Sequence, residues 1–149
     1  MGNPIFLSYD QDALDAEYGK YSDPTAAEEA IHYWEERSKS ARSELNCRLD
    51  IPYGPSHSET LDVFLSSSPN PVPINVFFHG GYWRSLHKNG FSYAAYGLHE
   101  GGGITVIVNY ALVSVVSFDE LVRQCRSALS WIWINADSFG GDRERLFVS

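Results

Sequence analysis

Two adjacent glycines directly follow a short apolar run, and a histidine precedes them. The run is Val76–Phe78, and His79, Gly80 and Gly81 come next; these three residues are called the glycine turn below. Backbone N–H groups can point into a cleft only where no side chain blocks the approach, which is a use for paired glycines. Donors fixed in this way stabilise the negative charge that develops on a carbonyl oxygen during nucleophilic attack. The spacing therefore predicts an oxyanion-binding turn at Gly80 and Gly81.

An aromatic pair, Tyr82 and Trp83, follows the glycine turn. These side chains are candidates to line a pocket for an aromatic acyl or amine group, and packing beneath a neighbouring loop is the alternative. For the glycines, the alternative is a tight turn without a chemical role. Their position after the carboxyl end of an apolar run favours the functional interpretation, because open α/β folds place ligands at that edge of the sheet.

The composition is that of an ordinary globular domain, and it argues against several classes of function. The chain has 149 residues, of which 44% are hydrophobic and 20% are charged. A net charge of -8 leaves no basic surface to neutralise phosphates, so nucleic acid is not an expected partner. No stretch of about 18 consecutive apolar residues occurs, so no membrane partner is expected. No basic start precedes an apolar segment, and the cytoplasm is the expected location.

The first 46 residues are predicted to form an N-terminal arm and a helix. Residues 1–22 are polar and aromatic, with Tyr21 the last of three tyrosines, and they suit an arm or a short helix. Asp23 followed by Pro24 is typical of a helix start, because aspartate caps free N–H groups and proline fits the first helical position. Apolar residues continue at helical spacing to about Leu45.

The remainder of the chain, residues 47–149, is predicted to be built around strands. Two segments with alternating apolar residues, 47–51 and 61–65, are expected to form an antiparallel pair at a sheet edge. Continuous apolar runs are typical of parallel strands that are covered on both faces. Such runs occur at 76–78, 104–108 and 146–148.

Helical patterns separate the apolar runs. A capping box at Ser117 begins one helix, which Gly140–Asp142 is expected to close. The last strand is then expected to begin at Arg145. The order of elements predicts an α/β fold with a mostly parallel sheet, an antiparallel leading strand pair and helices on both faces.

The glycine turn occurs together with several other motifs. They are Asp50–Gly54, Leu61–Phe64, His79–Trp83, Val108–Leu112 and Asp119–Gln124. In this combination the chain resembles the arylformamidase (kynurenine formamidase)-like α/β-hydrolases of the esterase/lipase type. The resemblance implies a single incomplete domain over residues 1–149, the N-terminal part of an α/β-hydrolase fold. Its first five strands would lie in residues 47–149, and the C-terminal strands would be lacking.

The same resemblance implies roles for the glycine turn. The N–H groups of Gly80 and Gly81 would form part of an oxyanion hole, and His79 would orient the turn rather than act as the catalytic base. The serine nucleophile, the acid and the catalytic histidine are expected beyond Ser149, so no catalytic residue is expected in this chain. The implied reaction is hydrolysis of a small-molecule carboxylic ester or aryl N-formyl amide without a cofactor. Val113–Val116 stands where the family tends to have Ala-Pro.

A triad assembled within the chain is the alternative placement of the chemistry. Ser92 lies in a segment that superficially resembles a nucleophile elbow. No buried strand leads into that segment, so a helix after the glycine turn is predicted there instead. A base–orienter pair of His79 and Asp119 is the other arrangement considered, and it requires the two side chains to lie close together.

The other histidines and the cysteines are assigned structural places. His32 is expected on a helix surface, and His87 and His99 are expected to be exposed or to cap loops. Cys125 falls on the apolar stripe of a helix and is expected to be a core thiol. With Cys47 it forms neither a disulfide framework nor a metal pair, and no metal ligand is expected in the chain.

Two functional interpretations follow for the chain as a whole. In the first, it is the N-terminal portion of a serine hydrolase. In the second, it is a catalytically inactive truncated remnant or a binding partner. A last strand with unpaired N–H and C=O groups on an apolar sheet edge is a template for aggregation, so self-association through that edge is expected.

Overall fold

The computed structural model describes residues 3–19 and 23–149, so the predicted place of Tyr21 in an arm lies outside the described residues. The chain folds into two compact units, Met1–Tyr33 and Trp34–Ser149. No helix within the described ranges is both long enough and apolar enough to cross a membrane.

Two helices occupy the N-terminal part of the chain. They are α1, Gln11–Gly19, and α2, Pro24–Glu44, and the second continues from the first unit into the other. The Asp23 carboxylate accepts hydrogen bonds from the N–H groups of Thr25 at 3.0 Å and Ala26 at 3.3 Å. The predicted helix start is therefore confirmed, with aspartate as the N-cap.

The second unit contains one sheet of five strands. The strands are β1, Cys47–Pro52; β2, Thr60–Phe64; β3, Val72–Phe78; β4, Ile104–Val108; and β5, Gly141–Val148. Their order across the sheet is β1-β2-β4-β3-β5. β2 pairs antiparallel with both β1 and β4, while β3 pairs in parallel with β4 and β5. The antiparallel leading pair and the parallel strands are confirmed, and the sheet as a whole is mixed.

The crossovers between the parallel strands are helical. A 3₁₀ segment, Lys88–Ala94, and helix α3, Ala95–Glu100, connect β3 to β4. Helix α4, Phe118–Asn135, connects β4 to β5 through a second 3₁₀ segment, Ala136–Phe139. The Ser117 side chain accepts from the N–H of Glu120 at 3.3 Å, as the predicted cap requires.

The last strand begins earlier than the sequence pattern predicted. We expected it to start at Arg145, but β5 starts at Gly141, which pairs with Val72. Gly140 adopts a left-handed conformation with φ of 80° and ends the 3₁₀ segment. The strand therefore follows at once, and charged residues occupy its first half.

The sheet carries a core on each face. On one face, strand residues such as Val63, Ile74 and Val106 pack against Ala128 and Ile132 of α4. On the other face, Phe64 and Ile107 pack with Ala41 of α2, Phe91 of the first 3₁₀ segment and Ala95 of α3. Every residue of β4 is buried, which explains why its sequence is apolar except for Thr105.

β5 lies at one edge of the sheet and has an apolar end. Phe147 is 59% exposed and Val148 is 57% exposed. We expect the purified 149-residue chain to self-associate by pairing β5 with a second copy, because the last three residues of the strand, Leu146–Val148, carry no charge to prevent it. Sedimentation velocity at rising concentration should show dimers or larger species.

A matched pair of variants checks that the strand edge is responsible. Val148→Lys should shift the distribution towards monomer, since a lysine on an edge strand opposes pairing. Arg143→Lys keeps the charge of the polar half of β5 and should leave self-association unchanged. A wild-type chain that stays monomeric at every concentration contradicts the prediction.

Candidate active site

The carboxyl ends of the three parallel strands meet beside the glycine turn. Phe78, the last residue of β3, is in register with Val108, the last residue of β4. The Phe78 N–H donates to the carbonyl of Ser149 at 3.0 Å, so the end of β5 lies on the other side of β3. The chain leaves the sheet at His79, at the edge where open α/β folds bind ligands.

The backbone of the glycine turn is fixed by its second glycine. Gly81 has a φ of 117°, and a Cβ atom there would lie 2.2 Å from the carbonyl oxygen of Ser85. The Gly81 carbonyl accepts from the N–H groups of Arg84 at 3.0 Å and Ser85 at 3.1 Å. A side chain is therefore excluded at Gly81 both by its conformation and by the close approach of the following loop.

The first glycine faces open space. Gly80 is exposed, and no atom lies within 4 Å of the position that a Cβ atom would take. Within residues 3–19 and 23–149, neither the Gly80 N–H nor the Gly81 N–H donates a hydrogen bond. Two neighbouring backbone donors are thus available to a ligand at this edge of the sheet.

The loop after the glycine turn is strained and carries the aromatic pair outwards. Tyr82, Trp83 and Leu86 have positive φ values of 51°, 58° and 72°. Such conformations cost on the order of 1–3 kcal/mol each and persist only where the surroundings impose them. Here the Trp83 carbonyl accepts from the Val113 N–H at 2.9 Å, and its ring packs edge-on against Phe118 at 5.4 Å.

The two aromatic candidates differ in their surroundings. Tyr82 is 71% exposed and Trp83 is 48% exposed, and their rings meet edge to face at 6.4 Å. Trp83 is partly packed, as the structural alternative expected, while Tyr82 projects into solvent. Val113, in the segment that departs from the family pattern, supplies the bond that holds Trp83. Substrate contact by the pair stays a prediction.

His79 is buried, and its ring is stacked between two aromatic rings. Tyr110 lies 4.4 Å away and nearly parallel, and Phe91 lies 5.6 Å away. The Nδ1 atom is 2.8 Å from the Gly80 carbonyl, to which it donates in the tautomer that satisfies both atoms. The Tyr110 hydroxyl donates to the His79 carbonyl. These contacts suit a residue that orients the turn.

A base–orienter pair of His79 and Asp119 is not formed. Asp119 is exposed in the first turn of α4. The Nε2 atom of His79 is buried and has no hydrogen-bond partner among the described residues. Burial lowers the pKa of His79, and the Gly80 carbonyl opposes that shift. Burial therefore favours the neutral form of the ring and disfavours its protonation.

Asn109 was not singled out by the sequence, although it connects four segments around the turn. Its N–H donates to the Thr60 carbonyl at 2.9 Å, and its side-chain amide donates to the Ser58 carbonyl at 3.1 Å. Its side-chain oxygen accepts from the Lys88 N–H at 3.3 Å, and its carbonyl accepts from the Tyr53 hydroxyl at 2.6 Å. The available signal was a polar residue directly after a strand in which Thr105 is the one polar residue.

Gln124 of α4 is a second buried polar residue that bonds the backbone close to Asn109. Gln124 interrupts the apolar stripe of the helix because it accepts from the Ala111 N–H at 2.8 Å and donates to Glu120 at 2.9 Å. Arg123 bonds Glu120 at 2.7 Å and the buried Glu59 at 2.8 Å. The Arg123 hydrogen bond lowers the pKa of Glu120 to about 2.

The remaining candidates occupy structural positions. Ser92 is fully buried in the first 3₁₀ segment, so the predicted helix after the turn is confirmed. His87 is exposed and accepts from a backbone N–H at the start of that segment, and His32 is exposed on α2, both as expected. His99 is half-buried in α3, against expectation, and its Nδ1 atom is buried without a hydrogen-bond partner among the described residues.

The cysteines and possible metal ligands occupy no site of their own. Cys47 and Cys125 are free and half-buried, and burial raises the pKa of Cys125 to about 11. Cys125 is thus only partly the core thiol that the helical pattern predicted. Phe118 and Val122, on the same apolar side of the helix, are exposed, because the buried face is centred on Leu121, Ala128 and Ile132. Among the described residues, no group of His, Cys, Asp or Glu side chains could hold a metal ion.

We expect the free energy of unfolding to fall as the pH drops from about 7 to about 5. The unfolded chain protonates His79 at its ordinary pKa, whereas burial lowers that pKa in the folded chain. The stabilisation is therefore complete above the unfolded pKa and is lost as the pH falls towards the folded pKa. The free energy of unfolding is measured by chemical denaturation at each pH. It should change less steeply with pH in His79→Gln than in the wild type, while the exposed control His32→Gln keeps the wild-type pH dependence. An unchanged pH dependence in His79→Gln would show that His79 does not cause the loss of stability.

Known proteins share both the sequence and the fold. Residues 61–149 match the family model described as BD-FAE. Kynurenine formamidase of Danio rerio is 34% identical over 129 residues, which are 82% of this chain and 44% of that protein. A crystal structure from Silicibacter sp. TM1040, provisionally described as a thioesterase, has a TM-score of 0.73 at 26% identity, over 87% of this chain and 47% of that one.

A further solved structure supports the fold alone. Esterase B of Lactobacillus rhamnosis has a TM-score of 0.66 at 16% identity, over 83% of this chain and 43% of that chain. The chain thus spans about half the length of the relatives it matches. The resemblance and the α/β-hydrolase fold predicted from the sequence are confirmed. The chain belongs to the BD-FAE family and is an arylformamidase-like α/β-hydrolase of the esterase type.

Proposed function

We propose that Gly80 and Gly81 form the oxyanion hole of a serine hydrolase that cleaves carboxylic esters or aryl N-formyl amides. The observation that carries the proposal is the pair of N–H groups without partners among the described residues, on a turn that is held in place from both sides. Donors that are fixed before the reaction need no reorganisation when charge appears on the substrate oxygen.

In this mechanism a serine hydroxyl attacks the carbonyl carbon of the substrate, and a histidine accepts the hydroxyl proton. The electron pair of the C=O double bond moves to oxygen, where the two glycine N–H groups donate to it. The serine, the acid and this histidine would belong to a longer form that continues past Ser149. Support comes from Ser149 itself, which is bonded to Val76 and Phe78 of β3 at 3.0 Å, so a following residue would lie beside the glycine turn.

The chain's own contribution is then electrostatic and positional. His79 in its aromatic stack fixes the Gly80 carbonyl, and the Tyr110 hydroxyl fixes the His79 carbonyl. The Gly80 and Gly81 N–H groups, on the other side of these two planar trans peptide units, would then face the substrate. Tyr82 and Trp83 stand at the rim of the turn and would contact an aryl group on the substrate. The kynurenine formamidase relative supports an aryl N-formyl amide, and the esterase relatives support an ester.

The 149-residue chain alone should not hydrolyse p-nitrophenyl acetate faster than a heat-denatured sample. An oxyanion hole has no charge to stabilise when no nucleophile attacks. Initial rates of nitrophenol release measure this, with Ser92→Ala as a control for an internal nucleophile. Turnover that Ser92→Ala abolishes would show that the chain carries its own catalytic serine.

In a form that continues to the length of its relatives, Gly81→Ala should reduce kcat by about a hundredfold or more, with KM nearly unchanged. The added Cβ atom clashes with the Ser85 carbonyl and displaces the donors, which act on charge present only in the transition state. Gly97→Ala is the matched control, because its Cβ atom enters open space on the surface of α3, outside the glycine turn. Steady-state kinetics on an aryl ester and an aryl formamide separate the variants.

Equal kinetics of the two variants, with intact circular dichroism, would show that the turn has only a structural role. That outcome would favour the alternative function of the chain as an inactive binding partner. Activity towards only one of the two substrates would identify the bond that the enzyme cleaves.

A further inference from the structure

A buried lysine lies a short distance along the chain from the glycine turn. Lys88 is fully buried, and its Nζ atom is 2.6 Å from the Asp50 carboxylate and 2.7 Å from the Asp62 carboxylate. It also donates to the side chain of Asn89 at 3.2 Å. A buried ammonium is costly unless it is paired and hydrogen-bonded, and this one has three acceptors.

The anchor to which Lys88 binds is rigid. Asp62 is fully buried in β2 and lies opposite Ile107 of the central strand β4. Asp62 Oδ1 also accepts from the Asp50 N–H at 2.7 Å, and Oδ2 is 3.4 Å from the Arg42 guanidinium. The Lys88 hydrogen bond is the largest cause that lowers the pKa of Asp50.

Lys88 ends the segment that begins with the glycine turn. At the first end of this segment, the Tyr110 hydroxyl donates to the His79 carbonyl. At the far end, the Lys88 N–H donates to Asn109 at 3.3 Å and its side chain reaches Asp62. The strained loop between the two ends is therefore fixed to the sheet on both sides.

Lys88 is also the first residue of the 3₁₀ segment that supports His79. That segment carries Phe91, whose ring stacks on His79 at 5.6 Å. A loss of the ion pair would release the far end of the loop and the ring beneath the histidine together.

We propose that Lys88 is a positioning residue, which through its bond to Asp62 holds the loop that follows Gly81 and so fixes the direction of the two glycine N–H groups. The catalytic part of this inference rests on the proposed oxyanion function, whereas the effect on the loop does not.

The test uses Lys88→Met combined with Asp62→Leu, because this pair removes both charges and leaves no lone buried charge. Hydrogen exchange followed by mass spectrometry compares the peptide at 81–87 with a peptide from β4. The first peptide contains the N–H groups that bond the Gly81 carbonyl. Lys39→Met is the control, since Lys39 forms a 2.6 Å ion pair with Glu36 at the surface.

We expect exchange at 81–87 to accelerate by about tenfold or more in the double variant, with β4 and the control unchanged. Asp50→Asn provides a second variant that keeps the fold, because Asp50 is mostly exposed and asparagine tolerates its φ of 55°. It should accelerate the same exchange by about threefold. Unchanged exchange at 81–87 in both variants, or an equal increase in β4, overturns the proposal.

Kinetics of the longer form test the catalytic consequence. The double variant should reduce kcat by about tenfold, with KM within about twofold. If KM rises by the same factor by which kcat falls, the positioning role is overturned. If the longer wild-type form is inactive on both substrates, the proposed function fails, while the exchange measurement still decides whether Lys88 holds the loop.

Discussion

The structure around the glycine turn depends on the two residues that directly follow the central strand β4. Tyr110 binds the His79 carbonyl and stacks on its ring, and Asn109 bonds the segments on either side of it. These residues can act as an anchor because β4 is buried on both faces and paired on both edges. A loop that must present free donors cannot stabilise itself with them, so the surrounding structure must hold it.

Strain and anchoring are balanced in this loop. Three non-glycine residues after Gly81 have positive φ values, which the chain would not adopt alone. The opposing contacts are the Gly81 carbonyl bonds, the Val113 bond to Trp83 and the buried Lys88 pair. The result is a turn in which the His79 and Gly80 carbonyls are bonded to side chains, while the Gly80 and Gly81 N–H groups have no partner among the described residues.

Much of the fold could be predicted from the sequence, because hydrophobic periodicity reflects burial directly. The continuous apolar run of β4 and the Asp23–Pro24 helix start both have local causes, and both predictions were right. The start of β5 was predicted too late, since its first half is charged and only pairing with β3 makes it a strand. Partial burial of His99 was likewise not predicted, since no local pattern reveals it.

In the candidate site, too, features with a local cause could be predicted, whereas features that depend on distant contacts could not. Paired glycines after a strand are a local signal, and the structure places them at the expected edge of the sheet. The roles of Asn109, Gln124 and Lys88 arise from contacts across 21, 13 and 26 residues of sequence, so spacing alone could not assign them.

The most direct measurement is a crystal structure of a longer form, covering the length of its relatives, that has been trapped with an aryl phosphonate. The phosphonyl oxygen stands for the oxyanion of the tetrahedral intermediate. We expect this oxygen to lie about 2.7–3.1 Å from the N–H nitrogens of Gly80 and Gly81, with the loop to Lys88 unmoved. A phosphonyl oxygen bound by other donors, with both glycine N–H groups facing solvent, would contradict the oxyanion role of the turn.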